Sequence, residues 1–356
     1  MRVIISAGGT GGHIYPAISI LNKIKEKEPD SEILYIGTTD RMESTIVPNM
    51  GINYFGVRLQ GLKKDLSIFK TFILFLKAIK ICKKKIREFK PDVVIGVGGY
   101  ITTPVIYAAK SLNIRTVIHE QNSIPGKSNK FLTKKVDKIL VSLPGSFNYF
   151  PKEKTVLTGN PRSEEVYNAK IIDKKEIGLS KNKKFVLIVM GSLGSETINL
   201  QLKNSISDFN NKDYEVMIVT GKDHIDEFNE VKANSNVKIV PYLDNMANIL
   251  GNVDVIVSRA GASTIAEITS LGIPSILVPS PYVANNHQYF NAKELVDNKA
   301  SLLLEEKDFN SSNLLKDIDL LLNDKVLYNE MHENAVKLSN HSSCSDIYKE
   351  IKNILK

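Results

Sequence analysis

An α/β protein of two Rossmann-like domains, their parallel sheets facing across a cleft, is what this sequence predicts, and three observations predict it. Short apolar, β-branched runs recur along the 356 residues and read as strands buried on both faces. Many of them end in glycine-containing turns that pass into helical patterns, the order of βα units. The opening strand, glycine turn and helix return in mid-chain at residues 185–195, which marks a second domain. A chain of 356 residues has room for two full cores.

The first strand is expected at residues 3–7, followed by G-G-T-G-G-H-I-Y-P-A at 8–17 and an amphipathic helix to about Lys27. Its glycines let backbone approach a ligand, and His13 falls near the helix start. Two common nucleotide motifs are excluded. The dinucleotide fingerprint needs a small residue three places after its second glycine, where Ile14 stands, and the next strand, at 33–36, ends in Gly37-Thr38-Thr39 without a ribose-binding acid. A Walker A loop would need glycine where Gln121 stands before Gly126-Lys127-Ser128. NAD and ATP are therefore disfavoured.

Further strands are expected at 91–97, ending in G-V-G-G-Y, and at 115–119, ending in H-E-Q-N. Four polar residues, His119, Glu120, Gln121 and Asn122, then cluster at a strand's C-terminal end, where open α/β sheets place ligand groups. Strands at 138–141 and 155–158 follow, the latter ending in G-N-P-R at 159–162. The polar, charged stretch after Ser163 is the exit from the first domain. Strands at 185–190, 216–220, 237–241, 254–257, 275–278 and 301–304 build the second, with helices between them. A last short helix after about Asn340 packs back on the first domain, so the domains are 1–162 plus 341–356, and 163–340.

The stretch S-R-A-G-A-S-T-I-A-E at 258–267 organises the second half. A strand entering a helix through small residues leaves free N–H groups and the positive end of the helix dipole at one point, a ready anion site. Glu267 lies one turn further in, where a carboxylate can hold two vicinal hydroxyls. The plain alternative is an ordinary βα turn.

Composition narrows the partners. A hydrophobic content of 42% with 24% charged residues is ordinary for a globular protein, and 47 Lys+Arg against 39 Asp+Glu gives +8, which favours an anionic partner. Two distant cysteines, Cys82 and Cys344, argue against a disulfide framework or a zinc site. The N-terminal apolar run is too short for a signal peptide, and no stretch approaches the ~20 apolar residues of a membrane span. The expectation is a cytosolic protein with at most peripheral membrane contact.

Residues 66–90 form the second unusual stretch. On a helix, Ile68, Phe72, Phe75, Ile79, Cys82 and Ile86 share one apolar face, while Lys70, Lys77, Lys80, Lys84 and Arg87 gather opposite. Ile73, Leu74 and Ile81 fall among those lysines. Either the helix packs on the core with a solvated cationic face, or it is a monotopic patch for an anionic membrane. Nucleic acid is disfavoured, because no aromatic platform is interleaved with the basic residues.

Set in order, these loops resemble the MurG family, the GT-B-fold peptidoglycan N-acetylglucosaminyltransferases of glycosyltransferase family 28. The resemblance runs nearly end to end. It rests on G-G-T-G-G-H (8–13), G-V-G-G-Y (96–100), H-E-Q-N (119–122), G-N-P-R (159–162), R-A-G-A-S-T-I-A-E (259–267) and N-H-Q-Y-F-N-A (286–292). Two places depart from the family pattern: M-G-S-L-G at 190–194 stands for G-G-S-Q-G, and Arg162 follows Pro161 without the usual intervening residue.

The resemblance implies inverting transfer of GlcNAc from UDP-GlcNAc to the muramyl C4 hydroxyl of lipid I, giving lipid II at the cytoplasmic face of the cell membrane. It implies Ser192, Ala262, Ser263 and Thr264 at the diphosphate, Glu267 at the ribose and the backbone around Leu243 at the uracil. His287 and Gln288 would contact the GlcNAc hydroxyls. Thr10, Gly11, Gly12, Asn122 and Arg162 would complete the binding residues, and Phe72, Ile73, Leu74, Phe75, Lys77, Lys80 and Lys84 would meet the anionic inner leaflet. His13 is the first candidate for the base, since a helix N-terminus disfavours imidazolium and keeps it neutral; Glu120 and His119 are rivals. No cofactor and no intrinsic metal are expected, because the D-x-D at Asp317 and Asp319 sits in a helical pattern that points the two apart. A sugar-nucleotide epimerase, a transferase to another lipid and a non-catalytic nucleotide-sugar-binding subunit are the alternatives, and partners among cell-wall synthesis proteins stay open.

Overall fold

The computed structural model describes residues 1–59, 68–191 and 194–356, the side chains of 68–72 excepted. The chain forms two compact units, Met1–Arg162 with Ser342–Lys356, and Ser163–His341.

In chain order the first unit contains β1 (Arg2–Ser6), α1 (Gly11–Lys27), β2 (Glu32–Thr38), α2 (Glu43–Asn49), β3 (Tyr54–Val57), α3 (Ile68–Phe89), β4 (Val93–Gly96), α4 (Thr102–Lys110), β5 (Arg115–Glu120), α5 (Lys127–Leu132), β6 (Lys138–Val141) and β7 (Thr155–Leu157), and α6 (Pro161–Tyr167) begins at its end. Among the described residues its sheet is parallel with seven strands, ordered β3-β2-β1-β4-β5-β6-β7. The strands alternate cleanly between two cores. Ile4, Ile36, Val94, Ile118 and Ile139 face α3 and α4, while Val3, Ile5, Tyr35, Val93, Ile95 and Val117 face the other layer with α1.

The second unit contains β8 (Phe185–Val189), α7 (Glu196–Phe209), β9 (Glu215–Val219), β10 (Val237–Val240), α8 (Met246–Leu250), β11 (Val255–Ser258), α9 (Ala262–Leu271), β12 (Ser275–Leu277), α10 (His287–Asp297), β13 (Leu302–Leu303), α11 (Ser311–Asn323) and α12 (Lys325–Lys337). Its parallel sheet runs β10-β9-β8-β11-β12-β13. Both sheets therefore change winding direction once, between β1 and β4 and between β8 and β11. The loops leaving those strands diverge to opposite sides of the sheet, and that crevice is where open α/β sheets bind ligands.

Strand β3 escaped the sequence reading. Its half-exposed Y-F-G-V is short and carries a glycine, as an edge strand can. Helix α3 joins both expected faces. Ile79, Cys82 and Ile86 are buried and Phe75 packs against them, whereas Lys77, Lys80 and Lys84 are exposed with Ile73, Leu76 and Ile81. Leu74 is half-buried, and residues 66 and 67 and the side chain of Phe72 lie outside the described residues.

The last helix, α13 (Ser343–Leu355), returns to the first unit, where Ile347 and Ile351 are fully buried in the core that holds α1. Polar ties fix it. Glu28 Oε1 accepts from Tyr348 Oη at 2.8 Å and from Lys352 Nζ at 2.7 Å, and Lys138 pairs with Glu350 at 3.0 Å. His341 belongs with the second unit, where its ring stacks on Tyr167 and its Nε2 meets Ser270 O.

The hydrogen bonds from Lys352 and Tyr348 lower the Glu28 carboxyl from 4.5 to about 2. A depressed carboxyl stabilises the fold above its unfolded value and loses that contribution as pH falls through its folded value. Glu28→Gln is therefore expected to cost about 1–2 kcal/mol in urea unfolding near neutral pH. The gap to the parent protein should close as pH falls from 4.5 toward 2. An unchanged gap across that window would remove Glu28 as the anchor of α13.

Candidate functional site

Four loops crowd the C-terminal end of the first sheet. The glycine loop after β1 ends at Thr10, whose extended backbone caps α1 without a side-chain bond and leaves the amides of the first turn, at Gly11 and Gly12, uncapped. Gly8 N–H donates to Gly98 O at 3.2 Å, which joins this loop to the one after β4 across the point where the sheet reverses. Gly98 and Gly99 have φ of 110° and 85°, and a Cβ on Gly99 would fall 2.3 Å from Gly8 O. Only glycine fits there.

His13 is the third residue of α1 and half-buried. Its ring lies on Gly98, where an added Cβ would come within 2.4 Å of Cδ2. Its Nδ1 lies 3.3 Å from Gly8 O and 3.4 Å from Thr10 Oγ1.

The loop after β5 corrects the expectation that four polar residues there face a ligand. His119, Glu120 and Gln121 are buried. His119 Nε2 meets Gly159 O at 3.1 Å and Nδ1 meets the Gln121 amide at 3.0 Å, so Nε2–H donates and Nδ1 accepts. Burial lowers this imidazole from 6.5 to about 4. It is a neutral strut. Glu120 accepts at Oε1 from Asn122 N–H (3.0 Å) and Asn122 Nδ2 (3.1 Å), and at Oε2 from Gly126 N–H (3.0 Å) and Asn129 Nδ2 (2.8 Å). Both oxygens are committed to shaping the loop that presents Asn122, which is half-buried. Arg162 N–H donates to Asn160 Oδ1, and its guanidinium lies 6.0 Å from the centre of the Tyr15 ring.

A residue the sequence reading missed holds this end together. Glu43, on the first turn of α2, is fully buried and accepts from Gly9 N–H and from Thr38 N–H and Oγ1. Its signal was an acid opening a short helix after the second strand, but Gly9 is 34 residues away and no local spacing reveals the tie.

In the second unit, α9 opens at Gly261, which caps without a side chain, and its first turn contains no acid. Ala262, Ser263 and Thr264 are half-buried there. The N–H groups of this first turn and the positive end of the helix dipole point to this end. Beside it lies a cavity of about 140 Å³, floored by Val189, Val219, Met246, Leu250, Ile256 and Ile268 and rimmed by Gly191, Tyr242, Leu243, Thr264 and Glu267. An apolar slot with a carboxylate at its edge suits a flat ring carrying a diol. Ser192 lies outside the described residues; the following Gly194 has φ of 75° and packs on Thr220 O.

Arg259 and Glu306 brace this end. Arg259 is almost fully buried, pairs with Glu306 at 2.6 Å, and donates to Val278 O at 3.2 Å and Ser195 Oγ at 2.8 Å. It links the loops after β8, β11, β12 and β13. Asn291 of α10, fully buried, donates to Ala260 O. At the start of α10, Gln288 Oε1 accepts from Ser280 N–H at 2.9 Å, and His287 Nδ1 meets Ala284 O at 2.8 Å. Asp317 and Asp319 both lie on α11, where Asp319 is taken by Lys212 and Tyr214.

Comparison with known proteins agrees with this architecture. The family model described as glycosyltransferase family 28 N-terminal domain matches residues 3–141, and that of the family 28 C-terminal domain matches residues 185–351. A protein of Bacillus cytotoxicus named UDP-N-acetylglucosamine--N-acetylmuramyl-(pentapeptide) pyrophosphoryl-undecaprenol N-acetylglucosamine transferase is 47% identical over 100% of both chains. Among solved structures, MurG of Acinetobacter baumannii superposes with a TM-score of 0.81 at 25% identity, over 99% of each chain. A UDP-GlcNAc 2-epimerase of Neisseria meningitidis superposes at 0.69 over 99% of this chain and 100% of its own, but at 16% identity it shares the fold alone. With both halves matched in order and the full length aligned, the chain belongs to glycosyltransferase family 28.

Proposed function

We propose that this chain transfers N-acetylglucosamine from UDP-GlcNAc to the C4 hydroxyl of undecaprenyl-pyrophosphoryl-MurNAc-pentapeptide, with inversion, to form the disaccharide lipid of peptidoglycan synthesis. The observation that carries this reading is the full-length likeness to proteins named for that reaction, at 47% identity without a missing domain. An epimerase would share the fold but not that identity.

The second unit takes the donor. The slot floored by Met246, Leu250 and Ile256 receives uracil against the backbone at Leu243, and Glu267 at the rim accepts from the ribose hydroxyls. The diphosphate meets the amides of Ala262, Ser263 and Thr264 and the Ser192 loop. As UDP leaves, negative charge grows on the β-phosphate, and preorganised N–H groups stabilise it without rearranging. This is the work a metal does in other transferases, so the reaction is proposed to need none. Gln288, its carbonyl held by Ser280, keeps its amide N–H groups for the sugar; His287, with Nδ1 on Ala284, offers Nε2 as an acceptor.

The first unit takes the acceptor. Thr10, Gly11 and Gly12 form an uncapped helix start, and Asn122 and Arg162 complete its polar rim. His13 is assigned as the base: its Nε2 takes the C4 hydroxyl proton while that oxygen bonds to the anomeric carbon. The bond from that carbon to the phosphate oxygen breaks, and its electron pair leaves with UDP. Glu120 and His119 serve as loop supports in this reading, since their polar atoms are already spent. On α3, Ile73, Leu76 and Ile81 stand exposed among Lys77, Lys80 and Lys84, with Leu74 and Phe75 beneath, and this face is proposed to rest on an anionic leaflet. Among the described residues, no helix is long and apolar enough to cross a membrane.

The first test is incubation with radiolabelled UDP-GlcNAc and a short-chain lipid I analogue in EDTA. Label should enter the muramyl lipid and depend on the acceptor; free UDP with an epimerised sugar would overturn the assignment. His13→Ala should lower kcat by ~10²–10⁴ with the donor KM little changed, and a loss under tenfold would remove His13 as base. Replacing Lys77, Lys80 and Lys84 with alanine should weaken binding to phosphatidylglycerol vesicles by about 3 kcal/mol, on the order of 10²-fold. Undiminished sedimentation with those vesicles would send the membrane contact elsewhere.

A further inference from the structure

The peptide group between Gly8 and Gly9 is held at both ends. Its N–H, on Gly9, donates to Glu43 Oε2 at 3.0 Å, and its carbonyl oxygen, on Gly8, lies 3.3 Å from His13 Nδ1. The other oxygen of Glu43 accepts from Thr38 N–H at 3.1 Å and Thr38 Oγ1 at 2.8 Å. Two of these three donors are amides, which can only donate, so Glu43 works as an acceptor on both oxygens, as an ionised carboxylate does. Charge placed on the N–H side of a peptide group draws electron density onto its carbonyl oxygen, and hydrogen bonds in such a chain strengthen one another in a buried setting.

We infer that Glu43 is a positioning residue that acts on His13 through this one peptide group, holding the imidazole in its Nδ1–H tautomer and presenting Nε2 to the acceptor hydroxyl. The arrangement is a carboxylate–histidine pair with a peptide unit inserted between its members. The inference rests on the assignment of His13 as base.

The packing is built for this line of contacts. A Cβ on Gly8 would lie 2.3 Å from Glu43 Oε1, and one on Gly98 would strike the His13 ring. Thr10 Oγ1, 3.4 Å from the same Nδ1, is a hydroxyl that turns to donate or accept, so it follows the tautomer and does not set it. Tyr35 and Tyr54 flank Glu43. Burial, and then the charge of Glu43, raises both phenols, so they stay protonated, donating to Ala7 O and Thr38 O. Asp40, Arg41 and Tyr100 lie on the adjoining loops, and Tyr15 with Arg162 lies further along α1.

The whole chain, labelled with ¹⁵N-histidine, tests this. The His13 signals are assigned by their loss in His13→Asn. In the parent protein the ring proton should sit on Nδ1, and Glu43→Gln should redistribute it between the two nitrogens. The same variant should lower kcat by roughly 10- to 100-fold, less than the ~10⁴ seen when a direct carboxylate–histidine contact is lost. It should also move the acidic limb of kcat/KM to lower pH and leave the donor KM unchanged. Thr38→Val removes one bond to Glu43 without touching the peptide, and should cost stability while leaving the ring signals in place. A parent His13 protonated on Nε2 would overturn the inference, and that measurement stands even if Glu43→Gln does not fold. Ring signals unmoved by Glu43→Gln, or moved equally by Thr38→Val, would reduce Glu43 to a structural support. An acidic limb that survives His13→Ala would instead remove the base assignment, while the ring signals would still decide the relay.

Discussion

A buried charge braces a loop at the point where each sheet reverses, and the rest of each site depends on that brace. Loops leaving β1 and β4, or β8 and β11, must diverge and still present their backbone to a common point, which a flexible glycine loop does not do unaided. In the first unit Glu43 pins the loop after β1 to the end of β2, while Gly8 N–H reaches Gly98 O on the loop after β4. In the second, Arg259, paired with Glu306, joins the loop after β11 to the one after β8 through Ser195. Burying an ion costs several kcal/mol, and the site recovers it only with several good partners. Glu43 has three donors; Arg259 has a carboxylate, a carbonyl and a hydroxyl. Removing one member of such a set leaves an uncompensated charge, at about 3–5 kcal/mol. Neighbouring positions are then restricted to glycine, as Gly8 and Gly37 against Glu43 demonstrate.

The two ties differ in charge, a carboxylate held by neutral donors in the first unit and an Arg–Glu ion pair in the second. Arg259 donates to Val278 O and Ser195 Oγ and is ion-paired with Glu306, so in the proposed function the diphosphate falls to the amides at the start of α9. Backbone amides bind charge without long side chains to immobilise. In the first unit the tie is anionic and meets a peptide whose other end faces an imidazole, so its charge bears on a proton and not on a phosphate.

Much of this was legible in the residues, and the misses share a cause. Strands buried on both faces are continuous apolar runs, so β1, β4, β8 and β11 announced themselves, and glycine turns marked where each sheet opens. The basic face of α3 was equally plain, although Leu76 was passed over because only its packing against the rest of the unit decides which way it points. Polar residues carry no such direction. His119, Glu120 and Gln121 looked like a ligand cluster because they end a strand, yet they bond inward to Gly159, Asn129 and Val97. Glu43 and Glu306 drew no notice in the sequence, yet they are the inward-facing ties. Composition cannot separate a carboxylate that meets a ligand from one that meets its own backbone when the partners lie tens of residues away.

That distinction also narrows where proton chemistry can reside in the first unit, which contains two of the chain's six histidines. His119 has both nitrogens committed and, through burial, titrates at about 4. Because its folded value lies below its ordinary 6.5, it resists protonation, and between 6.5 and 4 it weakens the fold as pH drops. It therefore contributes a stability limb at acid pH and no catalytic limb near neutrality. Glu120 is likewise spent on four donors. His13 is the other histidine at the C-terminal end of this sheet: its ring is seated on Gly98, and its Nδ1 faces the carbonyl of the peptide group whose N–H meets buried Glu43.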